Sequence, residues 1–246
     1  MFELSISTTS DKQHYINDIF DKLKDELKAD KGVGVKYNYG GRSYYSIAVL
    51  EKKKEYYKSK IVDHIVFMII DDYKFNYFKE NLLFTNQNII SQSFLKAISI
   101  FDFQMDGEII KSQIELTKDV LVDSLYYFKL GPLLEKWKKT AFIINQNHIL
   151  CSSESMIEVL KYLTMSSEHN VITADICIEK KQIKFKNVLK CQCFKKNFEG
   201  YSNFLTEMVK LNPVKINLKT NNYDDSDKIV QLLNQIFTDK IYLLNW

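Results

Sequence analysis

The stretch V-K-Y-N-Y-G-G-R-S-Y-Y, residues 35–45, holds the residue types best suited to chemistry at a surface. Lys36, Tyr37, Tyr39, Arg42 and Tyr44 combine cations with flat rings. That combination holds single-stranded nucleic acid by phosphate attraction and base stacking. The following run, E-K-K-K-E-Y-Y-K-S-K (51–60), adds five lysines beside them. A hairpin explains the same residues without a ligand. Gly40-Gly41 can take the positive φ values of a two-residue turn. Tyr39 then pairs with Arg42, Tyr37 with Tyr44, Val35 with Ser46 and Val33 with Ala48. Cross-strand aromatic pairs stabilise such a ladder by about 0.2–1 kcal/mol each. The expectation is a structural hairpin with Val33 and Val35 turned to the core. Tyr37, Tyr39, Arg42 and Tyr44 then form an exposed or partner-facing tip.

Elsewhere the side chains that could do chemistry are dispersed. The chain has no G-x-x-x-x-G-K-[ST] phosphate loop, no G-x-G-x-x-G, no H-E-x-x-H and no G-x-S-x-G. Adjacent on a helix, Asp71 and Asp72 point about 100° apart, which suits solvation of an apolar stretch better than shared proton transfer. Asp224, Asp225 and Asp227 precede a helix, where carboxylates favour the positive end of the dipole. Lys60 and His64, one helical turn apart, suggest an anion-binding spot or a partly buried histidine. Cys191 and Cys193 are the one close cysteine pair; on a strand their sulfurs share a side. Zinc needs four ligands, and Cys151, Cys177, His14, His64, His148 and His169 are scattered. Reduced, structural cysteines are expected, with no metal, no cofactor and no catalytic residue.

The elements around these residues follow from hydrophobic period. A net charge of +3 is too small to mark a nucleic-acid binder, whose domains usually have pI above about 9. The opening M-F-E-L-S-I-S-T-T-S-D-K-Q lacks a basic segment leading into an apolar run, so no secretory signal is expected. The most apolar stretch, 61–70, falls short of the roughly 20 residues that span a bilayer. A soluble, cytoplasmic protein is expected. Only 7 Gly and 2 Pro occur, which favours long elements and short loops.

F-E-L-S-I-S (2–7) reads as a strand. Ser10 and Gln13 form a capping box for a helix bearing Tyr15, Ile16, Ile19, Phe20, Leu23 and Leu27, stopped at Asp30-Lys31-Gly32. After the hairpin, helical period runs from 52 to 146. Ile61, Ile65 and Ile69 form one row, and Val62, Val66, Ile70 and Tyr73 the next. Ile90, Phe94, Ala97, Ile98 and Phe101 mark another helix, and Val120, Leu121, Leu125 and Phe128 a further one. Pro132 suits a first turn. Ser152 or Ser153 caps a helix bearing Met156, Ile157, Leu160 and Leu163. Near Ser167 the period switches to two. Residues 171–178 and 182–187 flank a hairpin turn, Asn212-Pro213 stops a helix, and 214–219 alternates with Val214, Ile216 and Leu218 inward. A closing helix, capped by Asp225 or Ser226, and a last strand follow.

The predicted class is α+β. It comprises an N-terminal strand-helix-hairpin (1–50), a helical region (51–166) and a C-terminal mixed sheet with helices (167–246), possibly one sheet shared with 1–50. From about residue 55 onward the order of segments resembles the YtxC-like family of sporulation proteins of spore-forming bacteria. L-T-K-D-V-L-V-D-S-L-Y-Y-F-K-L-G-P-L-L-E-K-W-K-K-T-A-F-I-I-N-Q-N-H-I-L resembles its long helical stretch. I-E-V-L-K-Y-L-T leading into N-V-I-T-A-D-I-C-I-E-K-K-Q-I-K-F resembles its helix and hairpin. F-L-T-E-M-V-K-L-N-P-V-K-I-N-L and D-K-I-V-Q-L-L-N-Q-I-F-T-D-K-I-Y-L-L resemble its last helices and strands. The resemblance implies a role in sporulation and supplies no reaction. The expected function is that of a non-enzymatic protein working through contacts with a protein partner. The alternative is a nucleic-acid binder using the basic-aromatic hairpin, and an enzyme assembled in three dimensions is the third class.

Overall fold

The computed structural model describes residues 1–83, 88–114, 119–147, 152–166, 171–178, 182–187, 193–198, 200–219 and 228–244. The protein is α+β. It divides into two units, Met1–Tyr77 with Asp102–Thr140, and Phe78–Phe101 with Ala141–Trp246. Each unit has its own sheet, so the strands at the two chain ends do not share one.

In the first unit, β1 (Phe2–Thr9) leads through a 3-10 turn at Ser10–Lys12 into α1 (Gln13–Ala29). Ser10 does not cap the helix with its side chain; the tight turn takes the place of the expected capping box. Tyr15, Ile16, Ile19, Leu23 and Leu27 are buried along one stripe of α1, as helical spacing dictates. Lys31 takes φ +56, and the Gly32 N–H donates to the Leu27 carbonyl at 2.7 Å, closing the helix with a left-handed residue.

The hairpin β2 (Val33–Tyr39) and β3 (Arg42–Val49) follows, with Gly40 and Gly41 at φ +56 and +74. Its register is the expected one, Tyr39 to Arg42, Tyr37 to Tyr44, Val35 to Ser46 and Val33 to Ala48. The face is not. Val33 and Val35 are 56% and 51% exposed, while Tyr45, Ile47 and Val49 are buried. β3 lies inside the sheet, order β2-β3-β1-β4, and β2 lies at its edge. The interior strand's apolar set therefore decides which face meets α1, and the edge strand follows it. Gly34 completes that fit. A Cβ there would stand 2.9 Å from Leu27 Cδ1 and 3.1 Å from Tyr45 Oη. Gly34→Val should lower the stability of the first unit by about 1–3 kcal/mol through overpacking, read as a shifted urea midpoint. An unchanged midpoint would contradict this packing.

α2 (Lys54–Met68) continues without a break into a π-helical segment, Ile69–Lys74, and then α3 (Phe75–Asn81). The chain passes through the second unit in α4 (Ile89–Phe101) and returns as α5 (Phe103–Gln113). The helical reading of Val120 and Leu121 does not hold. β4 (Asp119–Leu121) pairs parallel to β1, and only at Val122 does α6 (Val122–Lys129) begin. Leu130 and Leu133 are buried where α7 (Gly131–Gln146) starts with Pro132 in its first turn.

In the second unit, Ser152 Oγ accepts the Ser155 N–H at 3.2 Å at the start of α8 (Ser153–Ser166), the expected cap. β5 (Val171–Cys177) and β6 (Gln182–Asn187) form the expected hairpin, and β7 (Cys193–Asn197) adds a third antiparallel strand. α9 (Tyr201–Leu211) stops at Asn212, φ +37. β8 (Pro213–Lys219) and β9 (Ile241–Leu244), joined by α10 (Lys228–Ile236), extend the sheet in parallel to the order β7-β6-β5-β8-β9. Ile216 and Leu218 are buried as expected, but Val214 is exposed at the start of its strand. Phe204, Leu205 and Met208 of α9 pack with Leu160, Ala174, Ile176 and Leu233 as a buried core.

Candidate functional site

The uncovered face of the first sheet carries most of the basic-aromatic residues. Cross-strand rows build it: Val33, Ala48 and Glu3; then Val35, Ser46, Ser5 and Asp119; then Tyr37, Tyr44, Ser7 and Leu121; then Tyr39, Arg42 and Thr9. Rings of Tyr37 and Tyr44 stack with centroids 4.9 Å apart and planes 1° from parallel. Beside them the floor drops to small residues, where Ser5 Oγ and Ser46 Oγ lie 2.9 Å apart. The resulting trough, about 360 Å³, has Val33, Val35 and Tyr37 toward one end and the carboxylates Glu3 and Asp119 toward the other.

Not all five expected residues meet there. Tyr37, Tyr39 and Tyr44 share this face, with Arg42 at the tip. Arg42 is engaged: its guanidinium donates to Asp123 at 2.6 Å and to Ser7 Oγ at 3.4 Å. Asp123 also accepts the Tyr73 hydroxyl. Lys36 lies on the opposite side of β2, donating to Asn17 Oδ1 at 2.9 Å with its ammonium 4.9 Å from the Phe20 ring centroid. Four of the five lysines in the run face carboxylates. Lys53 pairs with Asp30 at 2.9 Å, Lys54 with Glu51 at 3.2 Å, Lys58 with Glu55 at 3.6 Å and Lys60 with Glu26 at 3.4 Å. Phosphate binding needs a continuous positive track, and carboxylates interrupt this one.

The other candidates resolve into structural roles. His64 is buried and its Nε2 lies 2.7 Å from the Tyr15 carbonyl. A carbonyl only accepts, so Nε2 carries the proton. Burial pushes the His64 pKa down to about 4. Lys60, bound to Glu26, does not join it on an anion. Asp71 and Asp72 do not face solvent as expected. The π-helical turn brings them against the start of α1, where Asp71 accepts the Tyr15 hydroxyl at 3.0 Å and Asp72 faces Lys12 at 3.5 Å. Cys177 is half-buried on β5. Cys151, Cys191, the Cys193 side chain, His148, His169, Asp224, Asp225, Ser226 and Asp227 lie outside the described residues.

One buried ionic cluster is announced by no motif. Lys74 and Asp106 are 2% and 0% exposed and paired at 2.7 Å. Asp106 also accepts Lys136 Nζ at 2.8 Å and Trp137 Nε1 at 3.0 Å, and Lys136 reaches Asp102 at 3.0 Å. Burial pulls the Lys74 pKa down against the pull of Asp106. Burial would raise the Asp106 pKa, but its donors outweigh it and keep the carboxyl ionised. The signal lay in spacing: the row Val62, Val66, Ile70 continues at the next i+4 step to Lys74, a lysine in a core position.

Among the described residues, no group of three or more His, Cys, Asp or Glu could hold a metal, and no helix is long and apolar enough to cross a membrane. No protein-family model, no curated protein and no solved structure matches the chain.

Proposed function

We propose that this chain is a non-enzymatic cytoplasmic protein that works through protein contacts, with the open face of the first sheet as its docking surface. The trough over Ser5, Ser46 and Ala48 carries the reading. Its valines and stacked tyrosines suit apolar side chains, and the exposed Glu3 suits a lysine or arginine beside them. Carboxylates at that position oppose a phosphate backbone. The ionic clusters of the first unit are spent on each other, Asp106 on Lys74 and Lys136 and Asp123 on Arg42, which supports a binding role over a reaction. A sporulation setting rests on the resemblance of the segments from about residue 55 onward.

A library of displayed random peptides, selected on the purified chain, tests this reading. Enrichment of peptides pairing apolar residues with Lys or Arg is expected, and Ser46→Trp, which fills the trough, should abolish it. No enrichment, or enrichment indifferent to Ser46→Trp, would remove the docking surface. A parallel titration with single-stranded RNA and DNA at two salt concentrations should show no tight binding. Tight, salt-sensitive binding lost in the Tyr37→Ala, Arg42→Ala, Tyr44→Ala triple variant would establish the nucleic-acid alternative instead.

A further inference from the structure

We propose that two copies of this chain join edge to edge along β2, with Tyr37 of each copy stacked on Tyr37 of the other about a two-fold axis. The seam uses the backbone edge of the sheet; Val35 and Tyr37 also line the trough of its open face, and Ser46→Trp, which fills that trough, separates the two readings.

β2 is the outermost strand of its sheet and contains neither proline nor bulge, two of the devices that protect an edge; its one charge, Lys36, is drawn back to Asn17 and Phe20 on the α1 side. A two-residue turn makes Tyr39 and Arg42 a hydrogen-bonded pair, so Tyr37 and Val35 also turn their backbone groups toward β3. Gly34, Lys36 and Asn38 then direct theirs outward, toward a new strand. One face of the Tyr37 ring is covered by Tyr44. Because these two are register partners, the stack runs across the strands and its uncovered ring face looks off the edge. A directly opposed side chain on an added strand would sit about 4.5–5.5 Å away, matching the 4.9 Å spacing already present between the two rings.

The strand is complementary to itself. Antiparallel pairing with Tyr37 on the axis sets Val35 against Tyr39 of the second copy, an aromatic and β-branched pair. Lys36 meets Asn38 of the second copy, and these outward-facing residues exchange backbone hydrogen bonds. Sliding two residues one way would oppose Lys36 to itself, and like charges directly opposite repel. Sliding the other way runs the strand into the Gly40-Gly41 turn. Among the registers within two residues of it, this one alone is free of both faults.

Sedimentation analysis of the full chain over a concentration series tests the seam. A species of twice the 29.0 kDa chain mass is expected for the wild type. Tyr37→Lys and Tyr37→Glu should each be monomeric, with unchanged circular dichroism. An equal mixture of the two variants should restore the doubled mass, because only an axis through residue 37 sets one substitution against the other. A wild type that stays monomeric, single variants that still dimerise, or a mixture that does not recover would each overturn the proposal. Ser46→Trp should keep the doubled mass; losing it would move the seam onto the open face and equally overturn this one.

Discussion

Asp106→Ala should destabilise the first unit by about 3–5 kcal/mol, the usual result of stranding a buried charge. The substitution removes the partner of Lys74, the acceptor of Trp137 Nε1 and one of two carboxylates on Lys136. Lys74→Met should cost less, since Asp106 keeps Lys136 and Trp137 as donors. Joining the two as Lys74→Met with Asp106→Leu should recover the part of the loss due to the stranded Lys74 charge, but not the part due to Trp137 Nε1, which still lacks its acceptor. With two tryptophans in the chain, Trp246→Phe leaves Trp137 as the reporter, seated on the cluster itself. Urea unfolding followed by its fluorescence gives all three values. An Asp106→Ala loss below about 1 kcal/mol, in the range of an exposed pair, would mean that the cluster is not a buried ionic one.

Acidification should weaken the same unit through His64. Its pKa is pushed down to about 4 by burial, against about 6.5 in an unfolded chain. The unfolded state therefore binds the proton first. The neutral ring's contribution is fully present above about pH 6.5 and is lost as pH falls through about 4, an effect on the order of 3 kcal/mol. His64→Gln can still donate to the Tyr15 carbonyl but does not titrate, so its stability should vary less over that window. Glu26, held down by the Tyr56 hydroxyl, and Asp30, by the Lys53 ammonium, also release stability on acidification. They are common to both proteins and cancel in the difference. Parallel profiles for wild type and His64→Gln would show that His64 already takes its proton in the folded state.

Local features were the most legible from residue types. The Gly40-Gly41 turn, the Tyr37–Tyr44 pairing, the Asn212-Pro213 stop and the change of period near Ser167 each depend on one or two neighbours along the chain. What failed depended on distant chain. The face of the hairpin is set by the interior strand's Tyr45, Ile47 and Val49, not by Val33 and Val35 on the edge. β4 has three residues, too few for a period to show, and exists because β1 offers it an edge. Lys74 and Asp106 lie 32 positions apart, and no spacing rule joins them. For the tyrosine platform the composition was readable, as were the i,i+3 pairs Lys54–Glu51 and Lys58–Glu55; the pairs of Lys53 and Lys60 were not, since Asp30 and Glu26 come from the end of the preceding helix.

The first unit is discontinuous in chain order, residues 1–77 and 102–140, with a piece of the second unit between them. During synthesis β1, α1 and the hairpin emerge early, yet β4 and Asp106 come only after 78–101 has been made. At about 5–20 residues per second the wait is on the order of seconds. Throughout it, β1 lacks one neighbour and Lys74 lacks its carboxylate. The nascent protein thus has a stage at which a sheet edge and a core cation both await chain not yet translated. A cut at any one point between 77 and 102 severs the first unit rather than separating it from the second.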